Sequence, residues 1–368
     1  MNAKKVIAAL LLCAALPVMG GAIDFGQAGD YNAFIKDDFS VTSSDVQGRI
    51  AVGGNMTVAG GYDVGYRINQ FGMGQGPTLV VGGDVVKSGP GFLNVYEAGE
   101  HQSPHSGELV YAGTVSGGPI EANLTQVNPN ALPVDFDSAF SQLTQLSNEL
   151  AARTATGSGV RDIMRAGAPL VFTPDTTPDD NVYVFNVTQE QINANIDWFV
   201  EGVSEDATVI FNLSNPNAIA GKNNWAGGEC AAGEVGCVQL SQTNISVNGQ
   251  LLSEYVNKDN TDNRLPSQVL FNFAGASQVN LATDLYASVL APQAAIHANP
   301  AQIYGQVIGK SWQGNMQINY DPFTPVGSNP PPQVSEPQGI AVFLLSLVAL
   351  LAVRRLQFPP QTRQFAAA

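Results

Sequence analysis

Apolar residues in this chain come in short runs cut by glycine, and the runs recur. Ala51-Val52-Gly53-Gly54-Asn55-Met56-Thr57-Val58 returns twenty-nine positions later as Val80-Val81-Gly82-Gly83-Asp84-Val85-Val86-Lys87. A third version, Val110-Tyr111-Ala112-Gly113-Thr114-Val115-Ser116-Gly117, follows thirty positions after the second. Further on, a Phe-Asn step repeats in Val184-Phe185-Asn186-Val187, Ile210-Phe211-Asn212-Leu213 and Leu270-Phe271-Asn272-Phe273, the last two sixty positions apart. Ala287 to Pro292 and Tyr304 to Gly309 are again short strands separated by turns. Short strands at a fixed period, with glycine at the corners, predict a mainly β fold: a right-handed β-solenoid or β-helix in which each rung sends Val, Ile or Leu inward. A β-sandwich is the competing architecture, but its strands recur at shorter spacing.

One segment carries a different period. Between Asp135 and Arg153 the apolar positions are Phe136, Phe140, Leu143, Leu146 and Leu150, one stripe of an amphipathic helix. Pro133 precedes it, acidic residues sit at its start and Arg153 at its end, as a helix dipole favours. One long helix in a β-rich chain is expected to lie along the solenoid and cover part of it. A shorter helix is expected from Thr188, with that residue as N-cap.

The two ends read as targeting segments. Lys4 and Lys5, an apolar run from Val6 to Val18 and small residues at Gly20-Gly21-Ala22 describe a signal peptide over 1–22. Cys13 lies inside the apolar run behind Leu12, which does not suit a lipid anchor. The displayed domain is expected over 23–329, followed by a Pro-rich linker and sorting motif over 330–339. An apolar helix with an Arg-Arg stop then spans 340–355, and a short tail 356–368. The run Ile340 to Val353 is shorter than the roughly 20 residues of a comfortable bilayer span, but its basic flank fits a stop-transfer segment. A buried terminal helix is the other reading.

Composition narrows the partners. The chain has 38 Gly, 13% charged residues and a formal charge of -15. An acidic, lysine-poor surface argues against nucleic acid and anionic lipid and suits basic partners, divalent cations or solubility outside the cell. Of the three cysteines, Cys13 falls in the leader, leaving Cys230 and Cys237 around a short loop. In an exported protein that pair reads as a disulfide, and a zinc pair is the alternative.

Two resemblances follow from these residues. Ser335-Glu336-Pro337, the apolar run and Arg354-Arg355 resemble a PEP-CTERM sorting signal, the substrate of an exosortase. Ser335 stands where that family has proline, and thirteen residues follow Arg355. Asp30-Tyr31-Asn32-Ala33-Phe34-Ile35, Asp38-Phe39 and Ser44 to Asn55 resemble the opening of the choice-of-anchor A domain, which occurs with such tails. That resemblance implies a surface-displayed domain with an adhesive or matrix role. Leu290-Ala291-Pro292-Gln293-Ala294 and Gly305-Gln306-Val307-Ile308 are similar to the ice-binding β-solenoid family, which also packs one long helix against its rungs.

Catalytic signals are few. His101 and His105, with Glu100 and Glu108, form the one His/carboxylate cluster, and Pro104 breaks any helix that would align them. A solvated acidic loop is the preferred reading there, and His297 reads as structural. Asp175, Asp179 and Asp180, or Asp259 and Asp262, are the candidate calcium ligands. Arg264 stands where an EF-hand loop needs glycine, and turn chemistry accounts for both stretches. No nucleophile elbow, phosphate loop or dinucleotide fingerprint appears. The expectation is a non-enzymatic, exported and surface-anchored adhesive or structural protein without a cofactor. Its expected partners are the sorting machinery, the membrane through its tail, and extracellular polysaccharide or matrix protein. An ice-binding protein and a surface polysaccharide-acting enzyme are the alternatives. The first needs a regular outward row, into which Thr57, Thr78 and Thr114 do not obviously fall.

Overall fold

The chain divides into two units, Met1–Ser328 and Asn329–Ala368. The computed structural model describes residues 23–68, 76–97, 103–193, 196–213, 230–231, 233–240, 244–255 and 267–325, all in the first unit. The segments expected to be a signal peptide (1–22), a sorting motif (Ser335-Glu336-Pro337) and a basic stop (Arg354-Arg355) lie outside them. No helix among the described residues is long and apolar enough to cross a membrane.

The expected solenoid is observed. Each rung contributes up to three short strands, and parallel stacking of rungs builds three sheets, here called faces A, B and C. The first rung supplies Ala33–Ile35 to face A, Phe39–Val41 to face B and Ser44–Val46 to face C. The second supplies Ile50–Val52, Met56–Val58 and Tyr62–Val64, in parallel register with the first. Alternation sets burial within each strand. Ile50 and Val52, Met56 and Val58, and Tyr62 and Val64 point inward and are sealed from solvent, while Thr57 and Asp63 point out.

The repeat seen in the sequence is the corner between faces A and B. Asn55 donates its backbone N–H to Asp38 Oδ1 at 2.7 Å, and Asp84 donates to Asn55 Oδ1 at 2.8 Å. Thr114 donates to Asp84 Oδ1 at 2.7 Å through its N–H and at 2.9 Å through its hydroxyl. The corner side chains thus form a ladder down the edge, and the bonds from Thr114 hold the Asp84 carboxyl below its ordinary value. Glycine is needed beneath that ladder because a Cβ on Gly82 would sit 2.1 Å from the Gly53 carbonyl oxygen.

The rungs do not stack in chain order. From the first rung the chain climbs outward through the strands at Leu79–Val81 and Glu108–Tyr111. The helix Phe136–Ala152 then carries it past the starting point, and later rungs return toward the middle. Their face A strands run Val182–Asn186, Thr208–Asn212, Val269–Asn272 and 288–291. Strand 307–309 closes the stack by pairing with Ala33–Ile35. On face B the same junction brings Trp312 opposite Phe39, their rings stacked at 5.9 Å.

The helix begins and ends where its sequence indicates. Asp135 caps it, accepting from the Ser138 N–H at 3.1 Å, and Arg153 follows its last turn and bonds Asp180 at 2.7 Å. Seventeen residues at 1.5 Å each cover about five rungs of ~4.8 Å. One outward residue per rung meets it: Phe34, Ile308, Leu290, Leu270 and Ile210. Phe34 packs on Phe136 and Phe140 at 5.4 and 5.3 Å. The Phe-Asn step acquires a reason here. Phe211 and Phe271 pack inside the solenoid with ring centres 5.1 Å apart and planes tilted by 34°, while Asn212 and Asn272 face the helix, fully buried. Asn212 donates to Leu150 O at 2.8 Å. Asn272 donates to Ser147 O and Asn212 Oδ1 and accepts from the Ser147 hydroxyl. The shorter helix Gln189–Asn193 is also present, with Thr188 and Gln191 bonding reciprocally as a capping box.

Candidate ligand-binding faces

The long helix covers the middle rungs of face A, which leaves faces B and C as candidate surfaces. On face C the register places Glu121, Asn94, Asp63, Asp45, Gln317 and Gln302 in one outward row on successive rungs. Neighbours in this row bond along the solenoid axis. Asn94 Nδ2 donates to Asp63 Oδ1 at 2.7 Å, and Gln317 Nε2 donates to Asp45 Oδ1 at 2.9 Å. A second row runs beside it. Gln47 Nε2 donates to Asn319 Oδ1 at 2.6 Å and to the Tyr66 hydroxyl at 3.2 Å. Asn319 Nδ2 and the Tyr304 hydroxyl both donate to Gln302 Oε1.

Tyrosines flank these rows. Tyr286 and Tyr304 stack at 5.1 Å; Tyr66 and Tyr96 meet at 6.2 Å, edge to face. All four are half-buried. Burial, reinforced by the neighbouring Tyr286 and Asp284, pushes the Tyr304 phenol up to about 12. Burial and then Asp45 raise Tyr66, and burial and then Asp284 raise Tyr286. All three remain hydroxyl donors at neutral pH. Burial also raises the Asp45 carboxyl, outweighing the bonds from Gln317 and Tyr66 that favour its ionised form. Arg67 lies at the margin, 5.7 Å from the Tyr66 ring centre.

Face B is different. Its outward row reads Ser116, Val86, Thr57, Ser40, Gln313 and His297. The first four are short side chains on consecutive rungs; the last two are longer. The row continues to Asn280 and Gln239, which are buried. Cys230 covers Asn280, whose Nδ2 lies 3.3 Å from its sulfur. The expected disulfide is formed, joining Cys230 and Cys237 with Cα atoms 5.6 Å apart.

The other residues singled out in the sequence scatter. Thr57 lies in the face B row, Thr78 is buried with its hydroxyl on Tyr96 O at 2.8 Å, and Thr114 belongs to the corner ladder. Asp180 bonds Arg153 and turns its own loop through the Val182 N–H; Asp175 and Asp179 are exposed loop residues. His105 departs from the solvated loop expected of it. Its side chain is 7% exposed, packed on Tyr96 and 3.9 Å from Glu121, because Ser103 Oγ and the His105 N–H both bond the Glu121 carboxylate at the end of face C. Glu108 is an exposed strand residue that faces none of these groups in the register. His297 sits in the face B row. Glu100, His101, Asp259 and Asp262 lie outside the described residues, and among the described residues no three His, Cys, Asp or Glu side chains converge to hold a metal.

The face C rows were missed in the sequence. Asp63 and Asn94 are thirty-one positions apart, near the period already visible at the corners. Carrying that period one strand further would have aligned them. Gln317 and Gln302 carry no such signal, because their rungs join the row from the far end of the chain.

A family model described as an ice-binding-like adhesive domain matches residues 24–320. No curated protein matches the sequence. Among solved structures, an ice-binding protein from the Antarctic ascomycete Antarctomyces psychrotrophicus is similar at 12% identity and a TM-score of 0.35, covering 82% of this chain and 98% of that one. A glycosylated ice-binding protein from an Arctic yeast aligns at 14% identity and a TM-score of 0.31, covering 83% and 96%. A domain of a Shewanella frigidimarina ice-binding protein aligns at 11% identity and a TM-score of 0.30, covering 82% and 96%.

Proposed function

The chain belongs to the ice-binding-like adhesive domain family, and from that premise we propose that it is a non-catalytic adhesive protein of the bacterial cell surface and extracellular matrix. The observation that carries this reading is face C. A continuous outward row of carboxylates and amides, flanked by tyrosines, runs over successive rungs and offers an extended ligand a polar contact on each. Repetition suits adhesion, because contacts of modest strength add along a long partner once the first has formed. Extracellular polysaccharide or a matrix protein is the partner, and calcium has no part in the reading.

Export by residues 1–22 and retention by the C-terminal segment complete the proposal. The choice-of-anchor A resemblance of residues 30–55 and the sorting-signal resemblance of Ser335-Glu336-Pro337 support it, with an exosortase or equivalent enzyme as processing partner. Deleting 334–355 is expected to release the protein from cells into the medium. Full surface retention after that deletion would remove the anchoring claim. Adhesion itself is tested by coating beads with the purified chain and measuring capture on matrix extracts; no capture above that of an unrelated acidic protein refutes it.

Binding to ice is the second reading, favoured by the short side chains Ser116, Val86, Thr57 and Ser40 on consecutive rungs of face B. Thermal hysteresis of the purified chain decides it.

A further inference from the structure

The long helix and the solenoid leave a cavity between them where the chain turns from face A to face B. It encloses about 420 Å³, within the roughly 300–1,000 Å³ usual for a small-molecule site. Turns of three successive rungs form one side: Lys36, Lys310 and the pair Pro292-Gln293. The opposite side is one stripe of the helix, Asp137, Phe140, Ser141 and Thr144, spaced i, i+3, i+4 and i+7. The turn at Pro292 is irregular, since its pairing with the next strand slips between Ala291 and Ala295. Ser141 and Gln293 are exposed, so the cavity opens to solvent.

Its lysines set this cavity apart. Three lysines stand among the described residues. Lys87 is buried and donates to Ser88 O and Gly89 O; the other two both line the cavity. Ile35 pairs with Gly309, which puts Lys36 and Lys310 on adjacent rungs ~4.8 Å apart along the axis. Two ammoniums so placed repel each other. Each meets a carboxylate only at the limit of ion pairing, Asp137 at 3.8 Å from Lys36 and Asp37 at 4.0 Å from Lys310. The Asp137 side chain is 96% exposed, so solvent screens that pair, and neither distance is a hydrogen bond. Each ammonium carries three donors, and none is spent among the described residues. The Ser141 and Thr144 hydroxyls and the Gln293 amide have no partner there either. Phe140 and Pro292 are buried and supply the apolar part of the wall.

An occupant must therefore bring an anion for two ammoniums, hydroxyls for the helix stripe and Gln293, and an apolar face for Phe140 and Pro292. A hexuronic acid unit has all three. An inorganic anion answers the lysines and leaves the rest of the wall unmet. We propose that this cavity binds a hexuronate unit of an acidic polysaccharide, its carboxylate held between Lys36 and Lys310 and its hydroxyls on Ser141, Thr144 and Gln293. The chain as a whole carries -15 and repels an acidic polymer elsewhere, which confines capture to this corner. No face C residue lines the cavity, so the inference goes beyond the adhesive reading and stands apart from it.

The test is titration calorimetry of the purified full chain with three probes: trigalacturonate, its methyl ester and sodium sulfate. Trigalacturonate is expected to bind about tenfold or more tighter than the ester, the scale of one charge-assisted hydrogen bond, and to weaken with added salt. Lys36→Gln combined with Lys310→Gln should cost about tenfold or more. Ser141→Trp, at an exposed helix position, should fill the cavity and weaken binding as well. Asp45→Asn with Asp63→Asn on face C should leave the affinity within about twofold. No binding, equal affinity for acid and ester, sulfate binding as tightly as the sugar, or an unchanged double lysine variant each overturns the proposal. The comparison among probes on the wild type keeps it falsifiable even if a variant fails to fold. Bead capture on matrix extract, run alongside, separates the two levels. Capture without trigalacturonate binding overturns this inference alone; trigalacturonate binding without capture supports it and removes the adhesive reading.

Discussion

Asn272→Ala tests how the helix is fastened to the solenoid. Asn272 is fully buried between the strand Val269–Asn272 and the helix. Its amide makes three bonds: to Ser147 O at 2.9 Å, to Asn212 Oδ1 at 2.8 Å, and from the Ser147 hydroxyl at 2.6 Å. Each such bond has a net worth of about 1 kcal/mol, and each stranded buried partner costs about 1–3 kcal/mol more. The relaxing helix recovers part of this, so a loss of about 3–4 kcal/mol is expected. Urea unfolding followed by circular dichroism measures it, with the slope unchanged. Asn186→Ala is the control. It removes the first member of the same Phe-Asn series from an exposed position, and should shift stability by no more than about 0.5 kcal/mol. Ser147→Ala closes a double-mutant cycle, with a coupling to Asn272→Ala of about 1 kcal/mol or more. A loss below about 1 kcal/mol for Asn272→Ala, or strict additivity with Ser147→Ala, would refute the account of the asparagines as fasteners.

Three further outcomes follow from the fold. Gly82→Ala places a methyl 2.1 Å from the Gly53 carbonyl oxygen and should cost about 2–3 kcal/mol in urea unfolding; Gly29→Ala, which meets nothing within 4 Å, should stay within about 0.5 kcal/mol. Removing the disulfide with Cys230→Ser and Cys237→Ser opens a loop of sequence separation 7, and chain-entropy arithmetic gives a loss of about 2.5 kcal/mol, read as a lower melting temperature. Asp321 is buried with Oδ2 unbonded, and burial raises its carboxyl well above the ordinary value of 3.8. A raised folded value means its contribution is fully present below the unfolded value and is lost as pH rises through the folded one. Asp321→Asn should therefore be more stable than the wild type at neutral pH, with the gap closing on acidification; a gap that widens toward low pH would contradict the burial argument.

Much of this architecture was legible because its physics is periodic. Gly53-Gly54, Gly82-Gly83 and Ala112-Gly113 announced the A–B corner, since stacked backbone leaves no room for side chains there. Phe136, Phe140, Leu143 and Leu150 announced the helix, and Phe211-Asn212 with Phe271-Asn272 marked strands that face both core and helix. Two things were not legible. The rung order depends on Ala33–Ile35 meeting 307–309 across nearly the whole chain, and no local pattern encodes that junction. Face C is hidden for the same reason. Asp45 and Gln317 are adjacent only because the last rung docks on the first, and isolated polar residues at strand centres look like ordinary solvent-facing positions. The candidate sites found in sequence were clusters along the chain, such as His101 with His105, whereas this fold gathers function across rungs.

Adhesion of beads coated with the wild type, with Asp45→Asn plus Asp63→Asn on face C, and with Thr57→Tyr on face B measures which face meets the matrix. Capture on matrix extract should fall about tenfold or more for the face C variant and stay at the wild-type level for the face B variant. Undiminished capture by the face C variant, with loss confined to Thr57→Tyr, would contradict the account and assign adhesion to face B.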